Sequence, residues 1–384
     1  MKIVSVVGTR PNFMKIAPLM AEYSRHENIN AILVHTGQHY DGVMSNLFFS
    51  ELGIPKPDVN LEVGSGSHAV QTAEIMKRFE PVLIDHKPDV VVVVGDVNST
   101  IACGLVAVKL GTKLAHVEAG MRSFDRSMPE EINRVLTDSI SNFLFCSEQS
   151  GVDNLIREGI PQEKVHLVGN VMIDTLLRNE EKAKKSNILN LLNINGNDFA
   201  VLTLHRPSNV DDPVVFGRIL DALTIIQNDM PVIFPIHPRT RKNLVSCSLG
   251  KRVKEMSGLR LTDPLGYLDF LKLMSNAKVV LTDSGGIQEE TTILQIPCLT
   301  LRDNTERPIT TTLGTNQVVG TNPTTIIQAY RRIVNGAWRN PAVPPLWDGH
   351  AAVRIVKILL EELLCLKPIA GLLTVRTHRD EIRE

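Results

Sequence analysis

Carboxylates recur where apolar runs end in the first part of the chain. Asp96 follows a run of valines in Gly95-Asp96-Val97-Asn98-Ser99-Thr100, and Glu118 follows Leu114–Val117 in His116-Val117-Glu118-Ala119-Gly120. Glu130 and Glu131 open a helical segment at Pro129, with Asn133 and Arg134 close behind. An acid in a first helical turn is often only a capping or dipole-matching group, which is the plain reading of Glu131, and Asp96 could equally be an N-cap. Acids at three such sites along one sheet edge exceed what capping needs. Grouped carboxylates in unlike environments run proton chemistry near neutral pH. Two histidines end later runs, His205 in His-Arg206-Pro207-Ser208-Asn209 and His237 in His-Pro238-Arg239. A lone histidine is more often structural; two at strand ends facing one cleft read as functional. No HxH or HExxH spacing accompanies them, so no metal is expected.

A second set of residues suits an anion. The first apolar run ends in Gly8-Thr9-Arg10-Pro11-Asn12, with Lys15 one helical turn on. A glycine turn into a helix N-terminus presents free N–H groups, and Arg10 and Lys15 add charge suited to a diphosphate. The competing reading is a surface Arg and Lys beside a tight turn. Late in the chain, Thr282-Asp283-Ser284-Gly285-Gly286-Ile287 passes from strand to helix. There Gly285 and Gly286 permit close approach of a phosphate, where otherwise Ser284 would be a simple N-cap. Glu290, beyond that helix's first turn, could accept from ribose hydroxyls. Neither turn is GxGxxG, so no nicotinamide cofactor is expected.

These groups need elements to hold them. Strands are expected at Lys2–Val7, Ala31–His35, Asp89–Val94, Leu114–Val117 and Asn142–Cys146. Helices are expected at about Pro11–Arg25, Ser67–Ile84, Asn98–Leu110 and Pro129–Asn142. The rhythm pauses around Val165–Arg178, and the polar, Asn-rich Lys182–Asn197 reads as an exposed segment past a hinge. It restarts with strands Ala200–Leu204, Pro231–Ile236, Val279–Thr282 and Cys298–Leu301, and helices Pro213–Asn228, Leu268–Ser275 and Gly286–Leu294. A last helix, about Ala351–Leu366, is expected to pack at the junction, and nothing is read from Pro368 to Glu384. Alternating strands and helices predict an α/β protein of two Rossmann-like, doubly wound domains, with the active site in the cleft at the strands' carboxyl ends. The expected division is 1–170, 171–350 and a terminal helix and tail over 351–384.

Composition agrees with that size. The chain has 384 residues, 43% hydrophobic and 22% charged, with a net charge of -1. No basic field would attract nucleic acid or an anionic membrane, so an anionic substrate must be held by local donors. Cys103, Cys146, Cys247, Cys298 and Cys365 are scattered without CxxC spacing and read as buried free thiols of a reducing compartment. The first residues read as a strand rather than a signal peptide, no apolar run reaches spanning length, and a cytoplasmic protein is expected.

The stretches GTRPNFMKIAPL, TGQHYD, GDVNST, HVEAGMRS, PEEINR, HRPSN, IHPR, DSGGIQEE and RDNTERP run in order from Gly8 to Pro308. In this series the chain closely resembles the non-hydrolysing UDP-N-acetylglucosamine 2-epimerases. The resemblance implies a glycosyltransferase-B-like fold, a homodimer and no required cofactor. It implies catalytic positions at Asp96, Glu118, Glu130 and His205. It places Arg10, Lys15, Ser284, Gly285, Gly286, Glu290 and Arg307 in a UDP-sugar site, with His237 beside it. In some members a neighbouring UDP-sugar acts as effector, at positions matching Gln38, Arg206 and His237. HRPSN departs from the HRREN of many members: Pro207 and Ser208 replace Arg and Glu, which bears on effector binding and substrate choice. The implied reaction inverts C2 of an N-acetylhexosamine. Loss of UDP from C1 acidifies the C2 hydrogen, a base removes it, and a glycal accepts a proton on its other face. Which group is base and which acid stays open. So do a hydrolysing 2-epimerase, an epimerase of a modified UDP-hexosamine, a glycosyltransferase on the same fold, and a sugar-nucleotide sensor.

Overall fold

The computed structural model describes residues 1–38, 42–246, 249–338 and 341–364. His39, Tyr40 and Asp41 of TGQHYD, Cys247, Cys365 and the segment 368–384 lie outside the described residues. The first sheet comprises β1 (Lys2–Val7), β2 (Asn30–His35), β3 (Val59–Asn60), β4 (Val90–Val94), β5 (Lys113–Val117), β6 (Phe143–Cys146) and β7 (Val165–Leu167). Its order is β3-β2-β1-β4-β5-β6-β7 and every pairing is parallel. Its helices are α1 (Arg10–Tyr23), α2 (Gly42–Leu52), α3 (His68–His86), α4 (Asn98–Lys109), α5 (Pro129–Ile140) and α6 (Gln149–Arg157).

The pattern then repeats. Helices α7 (Val171–Lys184) and α8 (Ile188–Leu191) lead to β8 (Ala200–Thr203), β9 (Val232–Pro235), β10 (Leu259–Thr262), β11 (Val279–Thr282), β12 (Cys298–Thr300) and β13 (Asn316–Val318). The order β10-β9-β8-β11-β12-β13 is again all parallel. Around it lie α9 (Pro207–Val210), α10 (Pro213–Asp229), α11 (Pro238–Ser246), α12 (Gly250–Glu255), α13 (Tyr267–Ser275), α14 (Gly285–Leu294), α15 (Pro308–Thr312) and α16 (Pro323–Val334), and α17 (Ala351–Leu364) follows. The expected pair of doubly wound α/β sheets is present. Strand β4 is all valine because helices cover both its faces, and all five side chains are buried. Cys103, Cys146 and Cys298 are buried free thiols.

The link between the sheets differs from expectation. Where a pause and an exposed segment are predicted, α7 forms, and Ile188 and Leu189 of α8 are buried among core residues. The polar average of this stretch hides two apolar anchors. Helix α7 packs against α1 on one side and α13 and α14 on the other, and α17 packs against α1 and α7. Asp174 of α7 caps α17, accepting from the Ala351 and Ala352 N–H groups at 3.1 and 2.8 Å. Among the described residues no helix is long and apolar enough to cross a membrane.

Candidate active site

Both turns that present anion-binding donors form as the glycines dictate. After β1 the chain enters α1 at Arg10, with Pro11 in the first turn and Asn12 accepting from the Thr9 N–H at 3.1 Å. The buried Lys15 ammonium pairs with Glu118 at the end of β5. Arg10 lies over the Phe48 ring, 5.8 Å from its centroid. In the second sheet, Ser284 is the N-cap of α14, yet its side chain makes no capping bond and its hydroxyl has no partner among the described residues. The first-turn N–H groups of α14 have no intrahelical acceptor. Gly285 leaves room for charged side-chain ends: a Cβ there would meet Arg307 Nη1 at 2.4 Å and Glu306 Oε1 at 2.7 Å. The glycine lets the guanidinium lie against the helix terminus.

That guanidinium joins the two sheets. Arg307 Nε is 2.8 Å from Glu289 Oε1, its Nη1 is 2.6 Å from Glu306 Oε1, and its Nη2 is 3.7 Å from Glu118 Oε1. Asn170 donates to Glu289 at 2.9 Å, while Glu289 Oε2 is buried without a partner among the described residues. On the other flank, Arg134 of α5 reaches Asp96 Oδ2 at 2.6 Å, Glu131 at 2.7 Å and Glu306 at 3.9 Å. Arg302 and Arg206 also meet Glu306, at 2.8 and 3.7 Å. Glu130 shares the first turn of α5, half-buried, and has no hydrogen bond or ion pair among the described residues.

The carboxylates occupy unlike environments. Burial alone would raise Asp96, but Arg134, Lys15 and Arg307 outweigh it and hold the carboxyl below its ordinary range. Burial likewise opposes Glu306, which Arg307, Arg302, Arg134 and Arg206 pull well below that range. Glu289 goes the other way, to about 8, because its burial and the nearby Glu118 charge exceed the help of Arg307. Glu290 is pushed to about 7 by burial, against a 3.0 Å hydrogen bond from the Tyr267 hydroxyl. Such separation sets carboxyl groups of unlike proton affinity in and beside one ion-pair network.

The histidines come together at the ends of β8 and β9. Their rings lie 6.1 Å apart. His205 Nδ1 is 2.9 Å from Asp283 Oδ1, and Asp283 Oδ2 also accepts from the His205 and Arg206 backbone at 2.9 Å each. This aspartate fixes the ring and the turn after β8. Partial burial, with the charges of His205 and Arg10, holds the His237 imidazole below its usual value. Gln38 is buried on the far side of the first turn, where its amide oxygen accepts from the Ser99 hydroxyl at 2.7 Å and backbone at 3.2 Å.

Comparison with known proteins decides the family. The family described as UDP-N-acetylglucosamine 2-epimerase matches residues 21–360. The chain belongs to this family. It is 45% identical to a UDP-N-acetylglucosamine 2-epimerase of Methanocaldococcus jannaschii, over 94% of this chain and 99% of the relative. It is 42% identical to a UDP-2,3-diacetamido-2,3-dideoxy-D-glucuronate 2-epimerase of Pseudomonas aeruginosa, over 86% of this chain and 92% of that one. Its fold superposes with a TM-score of 0.87 on the crystal structure of the Methanocaldococcus jannaschii UDP-GlcNAc 2-epimerase in complex with UDP-GlcNAc and UDP, at 45% identity, covering 94% of this chain and 100% of that one. The fold is therefore glycosyltransferase-B-like, as in that family.

Within this family member, Lys15, Asp96, Glu118 and Arg307 converge in one ion-pair cluster, with Gly285 against Arg307. His205 and His237 form a separate pair, and Gln38 bonds Ser99 rather than the cluster. Glu289, Glu306, Asp283 and Arg302 were not singled out by type and spacing. Their one sequence signal is adjacency: Glu289 precedes Glu290 and Glu306 precedes Arg307, so each doublet sends one charge to a predicted site and one into the network behind it.

Proposed function

We propose that this chain reversibly epimerises C2 of UDP-N-acetylglucosamine, giving UDP-N-acetylmannosamine without hydrolysis. The supporting observation is the Lys15–Glu118–Arg307 chain of ion pairs, which carries charge from the α1 turn across the end of β5 to the foot of α14. The Ser284 hydroxyl, the Gly285 and Gly286 N–H groups, Arg10, Lys15 and Arg307 receive the diphosphate, and Glu290 the ribose. The C1–O bond breaks with its electron pair going to the diphosphate oxygen. The C2 proton passes to a side chain and a C1–C2 double bond forms. Return of a proton to the opposite face of C2, with attack of the diphosphate oxygen on C1, gives the epimer. No net oxidation occurs, so the reaction asks for no cofactor. Asp96, Glu118, Glu130 and His205 are the proton-transfer groups. Asp96, held ionised by Arg134, suits the base on one face.

The same reading takes the chain as a cytoplasmic homodimer, with Gln38, Arg206 and His237 available to an effector UDP-sugar. It divides the chain at 170 and 350, with the terminal helix packing at the junction of the two domains. The test is proton NMR of the protein with UDP-N-acetylglucosamine in deuterated water. The UDP-linked manno epimer, deuterated at C2, is expected. Free N-acetylmannosamine with UDP would replace this reading by hydrolysis. Turnover only of the diacetamido-uronate would assign the substrate of the Pseudomonas relative instead.

A further inference from the structure

A buried pair lies behind the cleft carboxylates. His116 on β5 and Asp138 on α5 are fully enclosed, at 0% and 1% exposure. His116 Nδ1 is 2.7 Å from Asp138 Oδ1, and its Nε2 is 2.8 Å from the Gly95 carbonyl oxygen. Asp138 Oδ2 accepts from the Gly120 N–H at 3.1 Å and from Arg122 Nη1 at 2.7 Å. Arg122 is itself held by Glu158 through Nε at 2.8 Å and Nη2 at 2.7 Å. The Gly95 carbonyl can only accept, so Nε2 donates to it, while Nδ1 shares its hydrogen bond with the Asp138 carboxyl.

The backbone groups at the ends of this chain of bonds flank the reacting carboxylates. Gly95 precedes Asp96, and its own N–H donates to the Val117 carbonyl at 3.0 Å. Gly120 follows Glu118 by two residues. Glu118 has a φ of 71°, a left-handed conformation that costs a side-chain-bearing residue energy and persists only where its surroundings over-determine it. The surroundings do so here. The Glu118 and Ala119 N–H groups share the Phe145 carbonyl at 3.1 Å each, Asp138 holds the Gly120 N–H, and Asn154 holds the Gly120 carbonyl at 2.9 Å.

We propose that His116 is a positioning residue for the C2 proton transfers: with Asp138 it ties the end of β4, which carries Asp96, to the end of β5, which carries Glu118, and fixes the two carboxylates relative to each other. Its kinetic consequence rests on the epimerase reading. Two substitutions separate the two bonds. In His116→Asn the amide reaches the Nδ1 position and keeps the Asp138 contact but loses Gly95. In His116→Gln it reaches the Nε2 position and keeps Gly95 but loses Asp138.

His116→Asn is expected to lower turnover about 100-fold while UDP dissociation changes less than about threefold, since ångström-scale misplacement costs rate rather than binding. His116→Gln is expected to stay within about tenfold of the wild-type rate. Wild-type turnover in a folded His116→Asn protein overturns the proposal, as does an equal loss in both variants that tracks their melting temperatures. Nitrogen-15 NMR of histidine-labelled wild-type protein decides the bonding without activity or variants. A buried ring protonated at Nε2 and hydrogen-bonded at both nitrogens supports the clamp, and a ring without the Nε2 proton refutes it. Absence of C2 exchange in the wild type would refute the epimerase reading alone and leave the NMR result to stand for the clamp.

Discussion

Replacing Glu290 by glutamine should make the protein's stability less dependent on pH. The carboxyl is buried beside the Tyr267 hydroxyl and is pushed from 4.5 to about 7. Between those values the unfolded chain has lost this proton and the folded chain has kept it. The folded state binds more protons there, so the contribution of this group to stability falls as pH rises and is fully lost above the folded value. At about 1.4 kcal/mol per pH unit the loss is about 3 kcal/mol. Glutamine has the same shape and no proton to lose. Unfolding of wild type and Glu290→Gln, measured by denaturant from about pH 4.5 to about pH 8, should show a stability difference that falls by about 3 kcal/mol in favour of the variant. Other titrating groups are common to both proteins and cancel. A difference that is flat in pH, or that rises, would refute the desolvation argument. Calorimetry of UDP binding in buffers of unlike ionisation heat adds a second readout. Ribose hydroxyls donating to an ionised Glu290 should drive its proton into the buffer, and the glutamine variant should release none.

Asp96→Asn and Glu118→Gln should each abolish C2 deuterium exchange while UDP binding stays measurable by calorimetry; near-normal exchange in both would remove these residues from the chemistry. Gly285→Ala should weaken UDP binding by about tenfold or more, the loss of one hydrogen bond to a charged group, because the new Cβ falls 2.4 Å from an Arg307 guanidinium that Glu289 and Glu306 hold in place. Unchanged affinity in that variant would show that Arg307 moves aside freely.

The parts legible in the sequence are those set by local physics. The valine run of β4 must be buried on both faces, so Asp96 directly after it must lie at a strand end. Gly285 and Gly286 after β11 announce a helix start, and α14 begins there; the space at Gly285 read as room for a phosphate has the Arg307 guanidinium beside it. What sequence reading missed depends on contacts across long separations. Glu289 acquires its partners Asn170 and Arg307 only when α7 and the segment after β12 fold against α14. Asp283 becomes the anchor of His205 only because β8 and β11 are neighbours in the sheet. The 182–197 stretch is largely exposed, as its asparagines suggest, but the burial of Ile188 and Leu189 within it is set by α13, far away in sequence.

The strain at Glu118 bears on whether the site binds or also reacts. A sugar-nucleotide sensor needs the α14 terminus, Ser284 and Glu290, none of which has a positive φ. It has no use for a glutamate held in a left-handed conformation, which costs about 1–3 kcal/mol. Here that conformation is enforced from below by His116, Asp138 and Asn154, and the side chain is directed to Lys15 with Arg307 3.7 Å away. A relaxed backbone would release the strain and leave the α14 terminus, Ser284 and Glu290 in place. Retention of the strained form at a carboxylate that touches cations from both halves of the molecule is what a proton-transfer site requires, because the rate depends on the placement of that oxygen while binding depends mainly on the charges around it.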